Sequence, residues 1–336
     1  KICADVLVAA DLRGIESHGV QRLKMYYDRI KSGQQMAITN YEILREGPTT
    51  AVVDGHYGMG MVIGTRSMQM AIDKAKQYGM GSVAVRNSTH FGIDGYYANM
   101  ALTQGCIGMS FTNARPSISP TFGVQPLLGT NPIAFGVPTD EDCPFLFDAA
   151  TSIIQRGKVE VYNRKNKPIP PGWVTGPDGQ PMTDAAEILS SLPKDKAALL
   201  PLGGPGEELS GYKGYGLATM VEILCASLQD GGYLTDMLGF DKNGNKTPFM
   251  VGHFFMAINI ESFMGLDSFK KTTGGILRTL RNSTKEPGED RIYTAGEKEY
   301  ELEHIVPKQG IAVVPSIQKD VIFIQKELGL DYPFTL

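Results

Sequence analysis

The chain has no run of eighteen or so apolar residues, the length a bilayer-spanning helix needs. Its most apolar strand-like stretch, 250–260, is interrupted by Gly252, His253 and Asn259. Its four cysteines, Cys3, Cys106, Cys143 and Cys225, lie far apart and form no C-x-x-C. That argues against a disulfide framework and makes a reducing cytoplasm the simplest setting. The five histidines include no H-E-x-x-H and no other close ligand pair, so no metal site is expected. Lysine and arginine never form a run interleaved with aromatics, and the net charge is −4, which excludes an evident nucleic-acid surface. An initiator methionine is also missing, and Asp5 stands where a signal peptide would be apolar. The sequence is therefore expected to begin inside a longer protein.

What is present is a globular composition. The 336 residues are 42% hydrophobic and 20% charged, enough for one large or two ordinary domains with a substantial core. Periodicity predicts helices through about Ser32, over 59–78, 95–103, 216–228, 267–281 and 315–328, the last with Pro315 at its first position. In the helix over 59–78, Met61, Met68, Ala71, Ile72 and Ala75 are the candidate buried positions. Strands are predicted at 41–45, 50–54, 81–86, 106–112, 133–137 and 249–260, and the Pro- and Gly-rich stretch 165–182 reads as an ordered surface excursion. The pattern is mixed α/β, with helices at both ends and strands in the middle.

Within the first helical stretch, His18, Arg22 and Tyr26 are spaced by four and would share one helical face. An imidazole exchanges a proton near neutral pH, and a guanidinium grips a carboxylate through two parallel hydrogen bonds. Such a stripe suits a small organic acid that gains or loses a proton. A helix N-terminus at Ser17 would also lower the pKa of His18. The alternative is a solvated face, with Ser17 as N-cap and Val20, Leu23, Tyr27 and Ile30 turned inward.

Two glycine-rich stretches tempt a nucleotide reading. Gly58-Met59-Gly60-Met61-Val62-Ile63-Gly64 lies between a strand and a helix, as a dinucleotide fingerprint requires. Its spacing is G-x-G-x-x-x-G, and Arg86 rather than an acid follows the next strand. Close packing of a helix start is the better reading. Gly206–Lys213 fails as a phosphate loop, because Lys213 falls one residue late and Glu207 and Glu208 would repel phosphate.

Seven stretches taken together resemble one family: 14–19 with Arg22-Leu23; Asn87-Ser88-Thr89-His90-Phe91-Gly92 with 95–98; Thr112-Asn113-Ala114-Arg115-Pro116; 129–135; Asp148-Ala149-Ala150-Thr151-Ser152; Tyr212-Lys213-Gly214-Tyr215-Gly216-Leu217; and Tyr293-Thr294-Ala295-Gly296-Glu297. They are similar to the second, non-Rossmann family of malate and L-lactate dehydrogenases, most closely to its malate members. The family also holds ureidoglycolate and sulfolactate dehydrogenases. The resemblance implies a helical domain built from both chain ends (1–80 with 300–336) and a cofactor domain (81–299) with a largely antiparallel mixed sheet. It also implies a homodimer that uses NAD or NADP on 2-hydroxy and 2-keto acids. It places Ser17, Arg22 and Tyr26 in the substrate pocket, and His18 and His90 at the reaction centre, either able to be the proton carrier. Asp148, Ala149, Ala150, Thr151, Ser152, Tyr212, Lys213, Ala295, Gly296 and Glu297 become cofactor contacts. Reduction of a 2-keto acid needs a hydride, a proton and a fixed carboxylate. Arg22 is expected to hold the 1-carboxylate, and Arg115 the distal carboxylate of oxaloacetate.

Overall fold

In the computed structural model, which describes residues 1–332, helix α1 (Ile2–Leu12) leads through two single 3₁₀ turns, Glu16–His18 and Val20–Arg22, into α2 (Leu23–Lys31). Then come β1 (Glu42–Glu46), β2 (Thr50–Asp54), α3 (Gly60–Tyr78), β3 (Met80–Ser88), α4 (Gly95–Leu102), β4 (Cys106–Thr112), β5 (Ile133–Val137) and β6 (Phe145–Ala149). The middle holds α5 (Arg156–Arg164), β7 (Val174–Thr175), α6 (Ala185–Ser191), β8 (Ala198–Leu199) and α7 (Gly211–Ala226). The last elements are β9 (Val251–Asn259), α8 (Leu266–Arg281), α9 (Glu297–Gln309) and α10 (Pro315–Leu328).

Seven strands form one sheet in the order β1-β2-β3-β9-β4-β5-β6. Only β2 and β3 run parallel, joined by α3 as their crossover; the other neighbours are antiparallel. This is the mixed, largely antiparallel sheet anticipated, and it is not the parallel sheet of a dinucleotide fold. The apolar face of α3 carries Met68, Ala71, Ile72 and Ala75, all fully buried against Val53, Val83, Val85 and Phe255. Burying a Val, Leu, Ile, Phe or Met side chain stabilises by roughly 1.5–3 kcal/mol, so this face fixes the sheet's register.

Most of the stretch 165–182 lies at the surface, as expected, but it is anchored inward at two points. Ile169 and Val174 are buried with Ile118, Leu128, Val159, Ile188 and Leu199 in a second core, under α5 and α6. Pro168, Pro171, Pro177, Gly179 and Pro181 are exposed and shape the turns around these anchors. Helices from the chain ends meet: Arg13 pairs with Glu303 of α9 at 3.3 Å, and Tyr27 of α2 meets Phe323 of α10 edge-on at 6.1 Å. Residues 333–336, the end of the segment 300–336, lie outside the described residues.

The helix expected to start at Ser17 and run through about Ser32 begins only at Leu23, after a break at Gly19. The Asp11 carboxylate accepts the Val20 N–H at 2.8 Å, and a Cβ at position 19 would lie 1.7 Å from Asp11 Oδ1. Glycine is therefore required, and the chain turns a corner pinned to α1.

Candidate active site

Beyond that corner, Arg22, Tyr26 and Arg29 share one face of α2 and its entry turn. Tyr26 is buried, and its hydroxyl lies 2.6 Å from Nδ1 of His90. So the buried side chain of α2 is Tyr26; Tyr27 is only half-buried. His18 stacks on His90 with ring centroids 5.5 Å apart and planes 19° apart. Ser17 caps no helix. Its Oγ lies 2.9 Å from Nδ1 of His18, while its carbonyl accepts from Arg22 Nε at 2.6 Å. The predicted cluster Ser17, His18, Arg22, Tyr26 and His90 thus assembles, but from a corner and a helix rather than from one helical stripe.

His90 is held by backbone packing. Gly60, at the start of α3, lies against its loop, and a Cβ there would stand 2.1 Å from the Thr89 carbonyl oxygen and 2.8 Å from that of His90. The Thr89 hydroxyl accepts from the Gly60 N–H at 3.0 Å and donates to the Gly58 carbonyl at 2.8 Å. The glycine stretch 58–64 therefore seats a histidine. Below it, Phe91 stacks on His253 at 4.3 Å, and the His253 ring nitrogens each meet a hydroxyl at 2.8 Å, Thr112 on one side and Ser88 on the other.

Burial and the Arg22 charge lower His18 to about 4. The cause is enclosure, not the helix N-terminus anticipated. His90 lies well below the ordinary histidine range, through burial first and then the neighbouring His18. Both rings are neutral at pH 7. Nδ1 of His90 also receives the Gly92 N–H at 3.3 Å, which can only donate. That nitrogen is an acceptor, so the ring hydrogen sits on Nε2.

A cleft of about 290 Å³ is lined by Ile15 and Ile93, each three residues along the chain from His18 and His90, and by Gly95, Asp148, Ala295 and Gly296, with Arg13 and Lys298. Asp148 opens into it and accepts the Gly95 N–H at 2.7 Å. Enclosure by the cleft walls, against that hydrogen bond, raises its carboxyl to about 6. Beside it Asp94 is buried, its carboxyl raised by burial and by Asp148; Ser110 donates to one oxygen and the other has no partner. Of the predicted cofactor contacts, Asp148, Ala295 and Gly296 come together here. An open carboxylate among glycine walls fits the hydroxyls of a ribose.

The others are placed differently. Thr151 and Ser152 are buried, with the Thr151 hydroxyl on the carbonyls of Thr130 and Asn131 at 3.1 and 3.0 Å. Ala149 and Ala150 join them to Asp148. Tyr212 and Lys213 stand exposed in the first turn of α7 and do not line the cleft. Glu297 is buried and closed by Arg281 at 2.7 Å and the Thr294 N–H at 2.6 Å. It shapes the turn that presents Ala295 and Gly296.

Sequence reasoning missed several parts. Glu222, buried on α7, accepts from Asn131 Nδ2 at 2.8 Å and from Asn113 Nδ2 at 3.3 Å, tying together the two loops that carry Arg115 and Thr130. Asn113 and Asn131 were visible within their motifs, but nothing marked their partner in an apolar helix.

The family model for malate/L-lactate dehydrogenase matches residues 1–321. A malate dehydrogenase of Pyrococcus horikoshii is 46% identical over 98% of this chain and 89% of its own length. An L-sulfolactate dehydrogenase of Methanocaldococcus jannaschii is 39% identical over 98% and 91%. The solved malate dehydrogenase of Entamoeba histolytica superposes with a TM-score of 0.94 at 47% identity, over 99% of this chain and 92% of that one. On the family model and these identities, this chain belongs to the malate/L-lactate dehydrogenase family.

Proposed function

We propose that the chain interconverts malate and oxaloacetate by hydride transfer, using NAD or NADP. The observation that carries this is Arg22 set beside two stacked, neutral imidazoles, three residues along the chain from the Ile15 and Ile93 walls of a cleft holding an open aspartate. Relatives named for malate support the substrate. The nicotinamide, when bound, takes or supplies the hydride; Asp148, Ala295 and Gly296 would hold it, with Lys213 a further phosphate contact.

Arg22 grips the 1-carboxylate. Nε2–H of His90, fixed by Tyr26 and Gly92 on the opposite nitrogen, donates to the substrate oxygen and polarises it. His18 is the better proton carrier. With Nδ1–H donated to Ser17 Oγ, its Nε2 is bare and can take the hydroxyl proton in malate oxidation or return it in reduction. A carboxylate on Arg22 offsets one of the two causes that depress His18, raising the imidazole towards a useful range as substrate arrives. Arg115 is assigned to the distal carboxylate.

The proposal includes a cytoplasmic homodimer, with helices of both chain ends forming the substrate side. Four free thiols suit the location, and exposed Leu217, Met220 and Ile223 on α7 suit a second copy. The test is oxidation of NADH and NADPH with oxaloacetate, pyruvate and sulfopyruvate. Oxaloacetate is expected to be the fastest, and absence of turnover with all three rejects the reading. Preference for sulfopyruvate would favour the sulfolactate alternative.

A further inference from the structure

The last turn of α2 carries a guanidinium that no sequence motif singled out. Arg29 is seven residues after Arg22 and three after Tyr26, so all three point to one side. Tyr26 on that side reaches His90, which directs the whole face to the reaction centre. The Arg29 guanidinium lies over the Phe249 ring at 4.3 Å, an arrangement that fixes its plane. Phe249 is itself buried, its N–H on the Gln34 carbonyl at 3.4 Å, and the Gln34 side chain donates to Gly239 at 2.9 Å.

Among the described residues, Arg22, Arg29 and Arg115 each lack a carboxylate within 4 Å, as do Arg45, Arg66 and Arg164, whereas arginines 13, 86, 156, 278, 281 and 291 have one. Arg29 has its pKa lowered by burial, with Arg22 and Arg115 adding like-charge repulsion. Like charges gathered in this way, Arg22 and Arg115 with the buried Arg29, are unfavourable in the free protein. They become favourable when an anion of more than one charge sits among them.

We propose that Arg29 is a specificity-determining residue that grips the second anionic group of the substrate, so that the pocket selects dianionic over monoanionic 2-keto acids. This rests on the dehydrogenase reading and deepens it: Arg22 holds the carboxylate beside the reacting carbon, while Arg29, planar on Phe249, takes the distal carboxylate or sulfonate with Arg115.

The test is Arg29→Met and Arg29→Lys against the unaltered protein. Loss of a charged hydrogen-bond partner of an ion corresponds to about 10- to 100-fold in affinity. The ratio of kcat/KM for oxaloacetate to that for pyruvate should fall by that factor in R29M and less in R29K. Without cofactor, malonate should raise the melting temperature of the unaltered protein more than acetate does at equal ionic strength. R29M should lose that difference while melting no lower than the unaltered protein. A ratio within twofold of the original, no malonate effect to begin with, or a lower melting temperature for R29M would overturn the proposal. The malonate experiment needs no turnover, so a protein that reduces no 2-keto acid would sink the dehydrogenase reading and leave the anion site separately decided.

Discussion

The Tyr26 hydroxyl lies 2.6 Å from Nδ1 of His90, a contact made across sixty-four residues of chain. Burial pushes the Tyr26 phenol pKa up, so the tyrosine stays protonated and donates. Tyr26→Phe removes one of the two donors that fix the His90 tautomer. The expected result is a fall in kcat of about tenfold, the value of one ordinary hydrogen bond, with KM for oxaloacetate little changed. Steady-state kinetics check it; a rise in KM alone would place Tyr26 in binding instead.

The two histidines should separate in kinetics. Replacing the proton carrier typically costs about 10²–10⁴ in rate, so His18→Asn should lower kcat by that amount and abolish the acid limb of the malate-oxidation profile. His90→Asn should lower kcat while keeping that limb, because a polarising donor does not titrate. If the acid limb vanishes with His90 instead, the assignment is reversed.

The cofactor role proposed for Asp148 makes binding pH-dependent. Its carboxyl, raised to about 6, accepts hydrogen bonds best when ionised. NADH affinity, measured by fluorescence between pH 8 and 5, should therefore weaken as pH falls through about 6. Asp148→Asn should bind more weakly at pH 8 and show a flat profile.

Gly60 separates the two glycine-loop readings. Gly60→Val drives a side chain into the Thr89 and His90 carbonyls, so the melting temperature and kcat should drop while NADH affinity of the folded protein holds within threefold. Loss of NADH affinity with kcat intact would restore a cofactor role to that loop.

His253 tests linkage. It is fully buried and lowered to about 3, against about 6.5 for an unfolded histidine. A depressed histidine contributes stability that is complete above the unfolded value and lost as pH falls towards the folded one. The stability gap between the unaltered protein and His253→Asn, read from urea melts, should narrow steadily from pH 6.5 downward. A constant gap would mean that His253 titrates normally.

Much of this was legible in the sequence, for identifiable reasons. The strand Cys106–Thr112 and the helix Pro315–Leu328 were read to the residue, because a clean apolar run and a proline at the first helical position are local signals. The buried stripe of α3 was legible from its period. Helix α5 was not, having only Val159 buried, and neither was α9, which is acidic and carries Pro307. The break at Gly19 could not be read, because its cause is Asp11 arriving from α1. At the site, His18, Arg22 and His90 stood out by motif. Arg29 looked like any charge at a helix end, and only Phe249, from a distant loop, gives it a setting.

The corner at Gly19 divides the pocket between two mountings. Ser17 and His18 hang from a turn fastened to α1 through Asp11, whereas Tyr26 and Arg29 ride on α2, which leans on α10. On the proposed roles, proton handling and recognition of the acid's tail fall to separately anchored parts. A change in how α2 seats would then alter which acids enter while His18 keeps its footing, so new substrate preferences would arise with the same chemistry.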